Sequence, residues 1–398
     1  MKGREQLIWR IVLIAFAAGL LVWGFAVFLQ VRRLAGWRRD LVAGGFPKDY
    51  ATALAELKWE HPNWSFEPLI VGDLSWNEVV ERECSPAWNL ISSLEQLKPY
   101  RAENAKSYDS GAWYQASRET VAFFMDPRNF LNETDIFMFE SLRSGAAARS
   151  EELVEKMLSR TFMAHAGVDG GSKTFARLLI EIGERRGISP AFLAGRLASE
   201  QGMGSVQARG VIGDSLFEMS TNKEGRVGAA VVWGPTYTYK GKKTAAVLAK
   251  GREAYNGYYN FFNIGAYGSG LFEIRYNAWR EAVSKDVVEK YCGPWNTQAR
   301  AIEGGAIRIK ERYIDTQRHT RYLQKFSVSP KAGPFRWKQY MQNIGAPLSE
   351  ARNTTAAYAS AEALDAAYHF VIPVYRGMPA KLCADPAEGC SMYGPVRK

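Results

Sequence analysis

The stretch "GISPAFLAGRLASEQG", residues 187–202, decides how this chain is read, because a helix with clear ends carries an acid where its pattern calls for a leucine. Ser189 offers a side-chain oxygen to the first unpaired backbone N–H groups, Pro190 suits the first helical position, and Gly202 ends the run. At 100° per residue, Leu193, Leu197 and Glu200 fall within about 60° of one another, so the acid shares the apolar face. Two readings stand side by side. Either the helix ends there and Glu200 lies at a rim in water, or the carboxyl is held in a groove. The helix dipole disfavours a carboxylate at a C-terminal end, so placing one there has a cost. On the second reading, a carboxyl held against apolar side chains has its charged form desolvated and can keep a proton near neutral pH, the property a general acid needs.

The flanking segments are helical in the same way. "SEELVEKMLSRTFMAHAG" (150–167) and "SKTFARLLIEIGERRG" (172–187) precede it, with Ser172 the expected cap of the second, and "NTQARAIEGGAIRIKERYI" (296–314) resumes the pattern. Between them, residues 206–250 are rich in Gly, Thr, Lys and Tyr and read as an excursion from the helical core, with "AAVVWGPTYTYKGKK" as a hairpin arm. The string "GVDGGSKT" (167–174) misses the phosphate-binding loop pattern, since Ser172 replaces the glycine before the lysine and no strand precedes it. No G-x-S-x-G is present, so a serine hydrolase is not indicated.

The segment "NGYYNFFNIGAYGSG" (256–270) alternates aromatics with asparagines and glycines. Flat apolar faces beside amides suit sugar rings and their hydroxyls; an aromatic core segment with turn residues reads equally well.

Residues 11–31, "IVLIAFAAGLLVWGFAVFLQV", hold no charge in 21 positions and cover roughly 30 Å as a helix, one hydrocarbon thickness. They read as a transmembrane anchor, being longer than the core of a cleaved signal. Lys2, Arg4 and Arg10 precede the span, and Arg32, Arg33, Arg38 and Arg39 follow it. That count does not place the N-terminus inside; topology has to come from function. After "AGGFPKDY", a helix, a strand near 65–71 and a helix from Ser75 follow. "FVIPVY" (370–375) reads as an edge strand because Pro373 removes a backbone donor. The expected division is 1–40 tail and anchor, 45–145 small α/β module, 146–350 helical catalytic domain and 351–398 C-terminal strand and tail, a mainly α (α+β) chain.

The net charge of +10 draws anionic polymers, but no basic cluster with interleaved aromatics marks nucleic acid as a partner. Four cysteines without a C-x-x-C pair and four histidines without metal spacing argue against zinc, and no cofactor is expected. Cys383 and Cys390 flank a turn-rich loop that closes a disulfide only if the domain faces an oxidising compartment.

Taken together and in order, "GISPAFLAGRLASEQG", "YYNFFNIGAYG" and "WNTQARAIEGGAIRIKERYI" resemble the bacterial peptidoglycan N-acetylglucosaminidases of glycoside hydrolase family 73. "FPKDYATALAELKWEHPNWSF", "YDSGAWYQASRETVAFFMDPRNFLNE" and "FVIPVYRGMP" extend the resemblance to a membrane-anchored or secreted subgroup with an N-terminal module. The resemblance implies a lysozyme-like two-lobed catalytic domain that cleaves the β-1,4 bond between N-acetylglucosamine and N-acetylmuramic acid. On it, Glu200 matches the catalytic proton donor, Tyr259 and Asn260 the cleft-lining aromatic and amide, and Tyr313 a residue of the following helix. It also implies a wall-facing domain behind a single-pass anchor, near strand synthesis and open to a partner protein in the membrane. Hydrolysis with a second carboxylate needs one at roughly 5–5.5 or 6.5–9.5 Å. Glu273 is the nearest acid after the aromatic motif, and the substrate's own 2-acetamido group is the alternative. A lytic transglycosylase and a non-catalytic glycan-binding assembly factor are the rival functions.

Overall fold

The computed structural model describes residues 2–85, 88–143, 150–224, 232–239, 242–248, 252–268, 270–339 and 341–387; within these, the side chains of 2–8, 10–15, 17, 18, 21, 22, 220–224 and both strands of 232–248 are not described. In chain order the elements are α1 (Lys2–Ala43), α2 (Lys48–Glu60), β1 (Ser65–Ser75), α3 (Trp76–Glu83), β2 (Leu90–Ser92), β3 (Ser107–Tyr108), β4 (Trp113–Gln115) and α4 (Arg118–Met125). Then come α5 (Glu151–Leu158), α6 (Phe175–Arg186), α7 (Pro190–Gln201), α8 (Val206–Arg209), α9 (Ile212–Glu224), β5 (Val232–Tyr239), β6 (Lys242–Leu248), α10 (Leu271–Ala282), α11 (Lys285–Lys290), α12 (Gln298–Ile309), α13 (Arg321–Lys325), α14 (Ala346–Ser360) and β7 (His369–Arg376). The chain is mainly helical with a few short strands.

It divides into two compact units, 1–136 with 369–398, and 137–368. The divisions fall at 136/137 and 368/369, against the expected 145/146 and 350/351. α14 belongs to the second unit, and the C-terminal strand returns to the first.

In the first unit β7 pairs in parallel with β1, Ser65 opposite His369 through Val71 opposite Tyr375. Two strands have only edges, so Pro373, opposite Leu69, costs no ladder bond that a central strand would need. Phe370 to Tyr375 are all buried. Trp64, fully buried, stacks on His61 at 4.0 Å and packs on Phe370 at 5.0 Å. Ser75 ends the strand and starts α3 by a capping box with Glu78. A second tie reaches the C-terminal segment through Arg128. Its guanidinium holds buried Asp126 with two bonds (2.9 and 2.7 Å), Asp49 (2.8 Å), and the carbonyls of Pro379 and Lys381. Asp126 also accepts from the Cys383 N–H at 3.1 Å. Burial pushes the Cys383 thiol up to about 12. Cys390, its expected disulfide partner, lies outside the described residues.

The predicted span 11–31 falls within α1, and nine of its side chains lie outside the described residues. Among the described residues no helix is long and apolar enough to cross a membrane. Those of its side chains that are described include Phe16, Leu20, Trp23, Phe25, Phe28, Leu29 and Val31, all exposed.

The second unit is built on α6, α7 and α12. Thr174, not Ser172, caps α6, because Ser172 lies in the turn before it, and Gly187 closes it in the left-handed region (φ 70°). Ser189 caps α7 as expected, with Pro190 at its first turn. Leu193 and Leu197 are fully buried in one core with Phe175, Leu179, Ile182, Ile302, Ala306 and Phe261, worth about 1.5–3 kcal/mol for each leucine. The expected excursion at 206–250 begins as helix, α8 and α9, before the hairpin β5–β6. α9 is followed in space by α10, where Ile212, Leu216, Tyr255 and Phe272 form a small satellite core.

Candidate active-site groove

The last turn of α7 and the loop at 260–266 are stitched together by amides. Gln201, buried at 5%, donates to the Phe261 carbonyl at 2.7 Å and accepts a short bond from the Ser205 hydroxyl. Asn260, fully buried, donates to the carbonyls of Ile264 (2.7 Å) and Ala278 (3.1 Å) and accepts from the Ile264 N–H (2.9 Å). All four of its amide bonding directions except one acceptor lone pair are thereby used, so Asn260 is a fold residue that turns the loop. The turn presents Asn263, in the left-handed region at φ 49°, to the end of α7. Its Nδ2 donates to Glu200 Oε2 at 2.9 Å and to the Glu200 carbonyl at 3.3 Å.

Glu200 is half-buried on a groove of about 700 Å³ lined by Arg196, Phe262, Asn263, Gly265, Tyr291, Arg308, Glu311, Arg312, Tyr313, Arg318, Phe335 and Lys338 among others. Its place on the apolar face was legible, but the helix ends there and the carboxyl emerges from the core that Leu193 and Leu197 enter. The loop sits close because two glycines permit it. Gly265 has φ 74° and backs onto Glu281, and a Cβ at Gly305 of α12 would run into the Phe262 ring.

α12 does not end in an ordinary turn. Lys310–Ile314 is a π-turn, an insertion frequent at functional sites, and it brings Tyr313 to the groove. Arg318, 2% exposed, lies over the Tyr313 ring at 4.8 Å and the Phe335 ring at 5.1 Å. Its Nη1 donates to the Lys338 carbonyl at 2.8 Å and its Nη2 to that of Arg312. Tyr291 donates to Glu311 at 2.8 Å, and burial, followed by that hydrogen bond and the Glu311 charge, pushes the phenol up to about 12.

Of the five side chains expected at the site, the structure brings Glu200 and Tyr313 together on one groove. Tyr259 does not line it: its ring packs against Gly210 and stacks on Phe261, and burial raises its phenol. Asn260 does not line it either, being spent on the loop. Glu273 is buried at 6% in the first turn of α10, against Gly268, and is not on the groove. The other carboxylate lining the groove, among the described residues, is Glu311. Sequence reasoning missed Asn263, Gln201 and Arg318. The signal for the first was the repeated amide in "NFFN", the second asparagine standing before Ile-Gly.

No family model matches the chain, and no curated protein matches it. Among solved structures it is similar to S. aureus glucosaminidase B (16% identity, 78% of this chain and 93% of that one, TM-score 0.44) and to a major bifunctional autolysin (16%, 79% and 97%, TM-score 0.42). A catalytic mutant of S. aureus autolysin E in complex with the disaccharide NAG-NAM is similar at 15% identity, covering 73% of this chain and 93% of that one, with a TM-score of 0.39. At such low identity and TM-score, the case for an activity rests on this chain's own residues.

Proposed function

We propose that this chain is a glycoside hydrolase of cell-wall peptidoglycan, cleaving the β-1,4 bond between N-acetylglucosamine and N-acetylmuramic acid with Glu200 as the proton donor. The reading is carried by one observation: a half-buried carboxyl on an open groove, its Oε2 fixed by the Asn263 amide at 2.9 Å, with Tyr313 on the same groove. In the first step the proton passes from Glu200 to the glycosidic oxygen as the bond from that oxygen to C1 breaks. The electron-poor C1 needs a partner, and Glu273 is not on the groove to supply it. Glu311 is engaged by Tyr291. The substrate's 2-acetamido oxygen is therefore the favoured nucleophile, forming a cyclic intermediate that water opens with Glu200, now ionised, as base. A lytic transglycosylase needs only the one acid and remains the second reading for that reason.

The exposed apolar side chains of α1 support a single-pass membrane anchor; the wall-side placement of the groove follows from the proposed substrate and not from the arginines that follow the span. A tether raises the effective concentration of nascent strands and leaves room for a protein partner in the membrane.

The deciding experiment is product analysis by mass spectrometry of purified peptidoglycan treated with wild type and Glu200→Gln. Wild type gives N-acetylglucosamine reducing ends and the variant gives none. Anhydro products move the reading to a transglycosylase, and the absence of any product from wild type removes both in favour of a glycan-binding factor. Protease accessibility of the groove-bearing unit from the cytoplasmic side would remove the topology.

A further inference from the structure

The groove carries more cation than its neighbours can neutralise. Five basic side chains line it, Arg196, Arg308, Arg312, Arg318 and Lys338, against two acids, Glu200 and Glu311. Three of the five have partners. Arg196 lies 3.6 Å from Glu350, Arg308 is paired with Glu281, and Arg318 spends its donors on the carbonyls of Lys338 and Arg312 and on the Thr316 hydroxyl. Arg312 and Lys338 are exposed and, among the described residues, make no ion pair; each only overlies a ring, Tyr313 at 5.7 Å and Phe335 at 5.5 Å.

These two are not scattered surface charges. Arg318, buried and wedged between the same two rings, bonds the backbone of both residues, so one rigid guanidinium ties the two chain segments that carry these cations together on the groove. The crowding is felt locally: burial, and then the charge of Arg312, hold both Arg308 and Arg318 below the usual arginine range. Like charges gathered around a cleft focus a field that favours an anion.

We propose that Arg312 and Lys338 form a carboxylate-binding subsite of the groove, which takes the acid group of an anionic glycan. On the proposed substrate that group has two sources, the lactyl carboxylate of the sugar and the free carboxylates of an attached peptide. The choice of ligand rests on the function proposed above; the charge arrangement does not. Neutral glycan, lacking the acid, leaves the two cations unanswered and binds less tightly.

The test uses the full chain carrying Glu200→Gln, which binds without turning over, and three probes: a neutral N-acetylglucosamine hexamer, peptide-free wall glycan, and peptide-bearing wall glycan. Affinities are measured by calorimetry at several salt concentrations. An acidic glycan should bind about tenfold more tightly than the neutral hexamer, the scale of one charge-assisted hydrogen bond, and the preference should shrink with salt. A preference for both acidic probes assigns the subsite to the lactyl group, and one confined to the peptide-bearing probe assigns it to the peptide. Adding Arg312→Gln and Lys338→Gln should abolish the preference while leaving hexamer affinity within about twofold, and Arg312→Lys with Lys338→Arg should restore most of it. Equal affinity for all three probes, no binding of any, or a preference that survives the double Gln variant overturns the proposal. If wild type cleaves no glycan yet the preference holds, the hydrolase reading falls and this subsite stands; cleavage without preference gives the reverse.

Discussion

Two charged regions of the second unit differ in how completely their charges are answered. Around α13 and α14, Arg321 and Glu140 are both almost fully buried, paired at 2.8 Å, and their remaining atoms are taken by Thr354 (3.0 Å) and the Tyr358 hydroxyl (2.7 Å). Burial holds the Tyr358 phenol well above its ordinary range, so it stays a donor. In the groove, Glu200 is half-buried and Arg312 and Lys338 lie open. A charge removed from water must be paired, so the first cluster is structural. Charges left beside water in a concave site are available to something that arrives. The groove cluster is therefore where substitution should cost function while sparing stability, and the buried cluster the reverse.

The contrast breaks most visibly at Glu200. Glu200→Gln should lower turnover by about 10²–10⁴-fold, the usual contribution of a general acid, with the midpoint of thermal unfolding unchanged, since the side chain keeps its shape and the Asn263 donor keeps an oxygen. A large fall in the melting midpoint would make Glu200 structural. Glu140→Ala is the mirror case: leaving Arg321 buried and unpaired should cost about 3–5 kcal/mol in denaturant unfolding, and a loss under 1 kcal/mol would put Arg321 in contact with water. Asn263→Ala removes one bond to the acid and should reduce kcat about tenfold with KM little changed; a rise in KM alone would make Asn263 a binding residue instead.

The smallest effect concerns pH. The Tyr291 phenol is raised in the folded state, to about 12 from an ordinary value near 10. Above pH 10 the unfolded chain releases that proton before the folded one does, so the stabilisation is complete below pH 10 and is lost as pH rises through 12. Tyr291→Phe should flatten the alkaline fall in stability slightly, and an unaltered slope would place the hydroxyl in solvent.

What the sequence made legible was local. The cap and stop of α7, the strand near residue 65, the helix after Ser75 and the edge character of Pro373 are each decided within a few residues, by backbone donors that need partners and by a missing one. Glu200 could be singled out because an acid on an apolar face is an exception. The partners of those elements were not legible. Nothing in "FVIPVY" says that it will lie beside residues 65–71, nor that the anticipated 351–398 segment is divided at 368/369, with α14 in the second unit and the strand in the first. Asn260 and Asn263 are chemically identical in sequence, and only the turn between them, set by Gly265 and the close approach of Gly305 to Phe262, decides which is spent on the fold and which reaches the acid. The cations at 312 and 338 are 26 positions apart and meet through the backbone contacts of a third arginine, a relation no spacing rule encodes.

The parallel pairing of β1 with β7 has a consequence for biogenesis. The first unit begins the chain but cannot finish its two-stranded sheet until residue 376 has been made, after the whole of the second unit. During synthesis β1 waits without its partner strand while more than 290 residues emerge, a long-range closure that is slow by nature and exposes an edge in the meantime. Completion of the amino-terminal unit thus reports that the intervening second unit has been translated to its end.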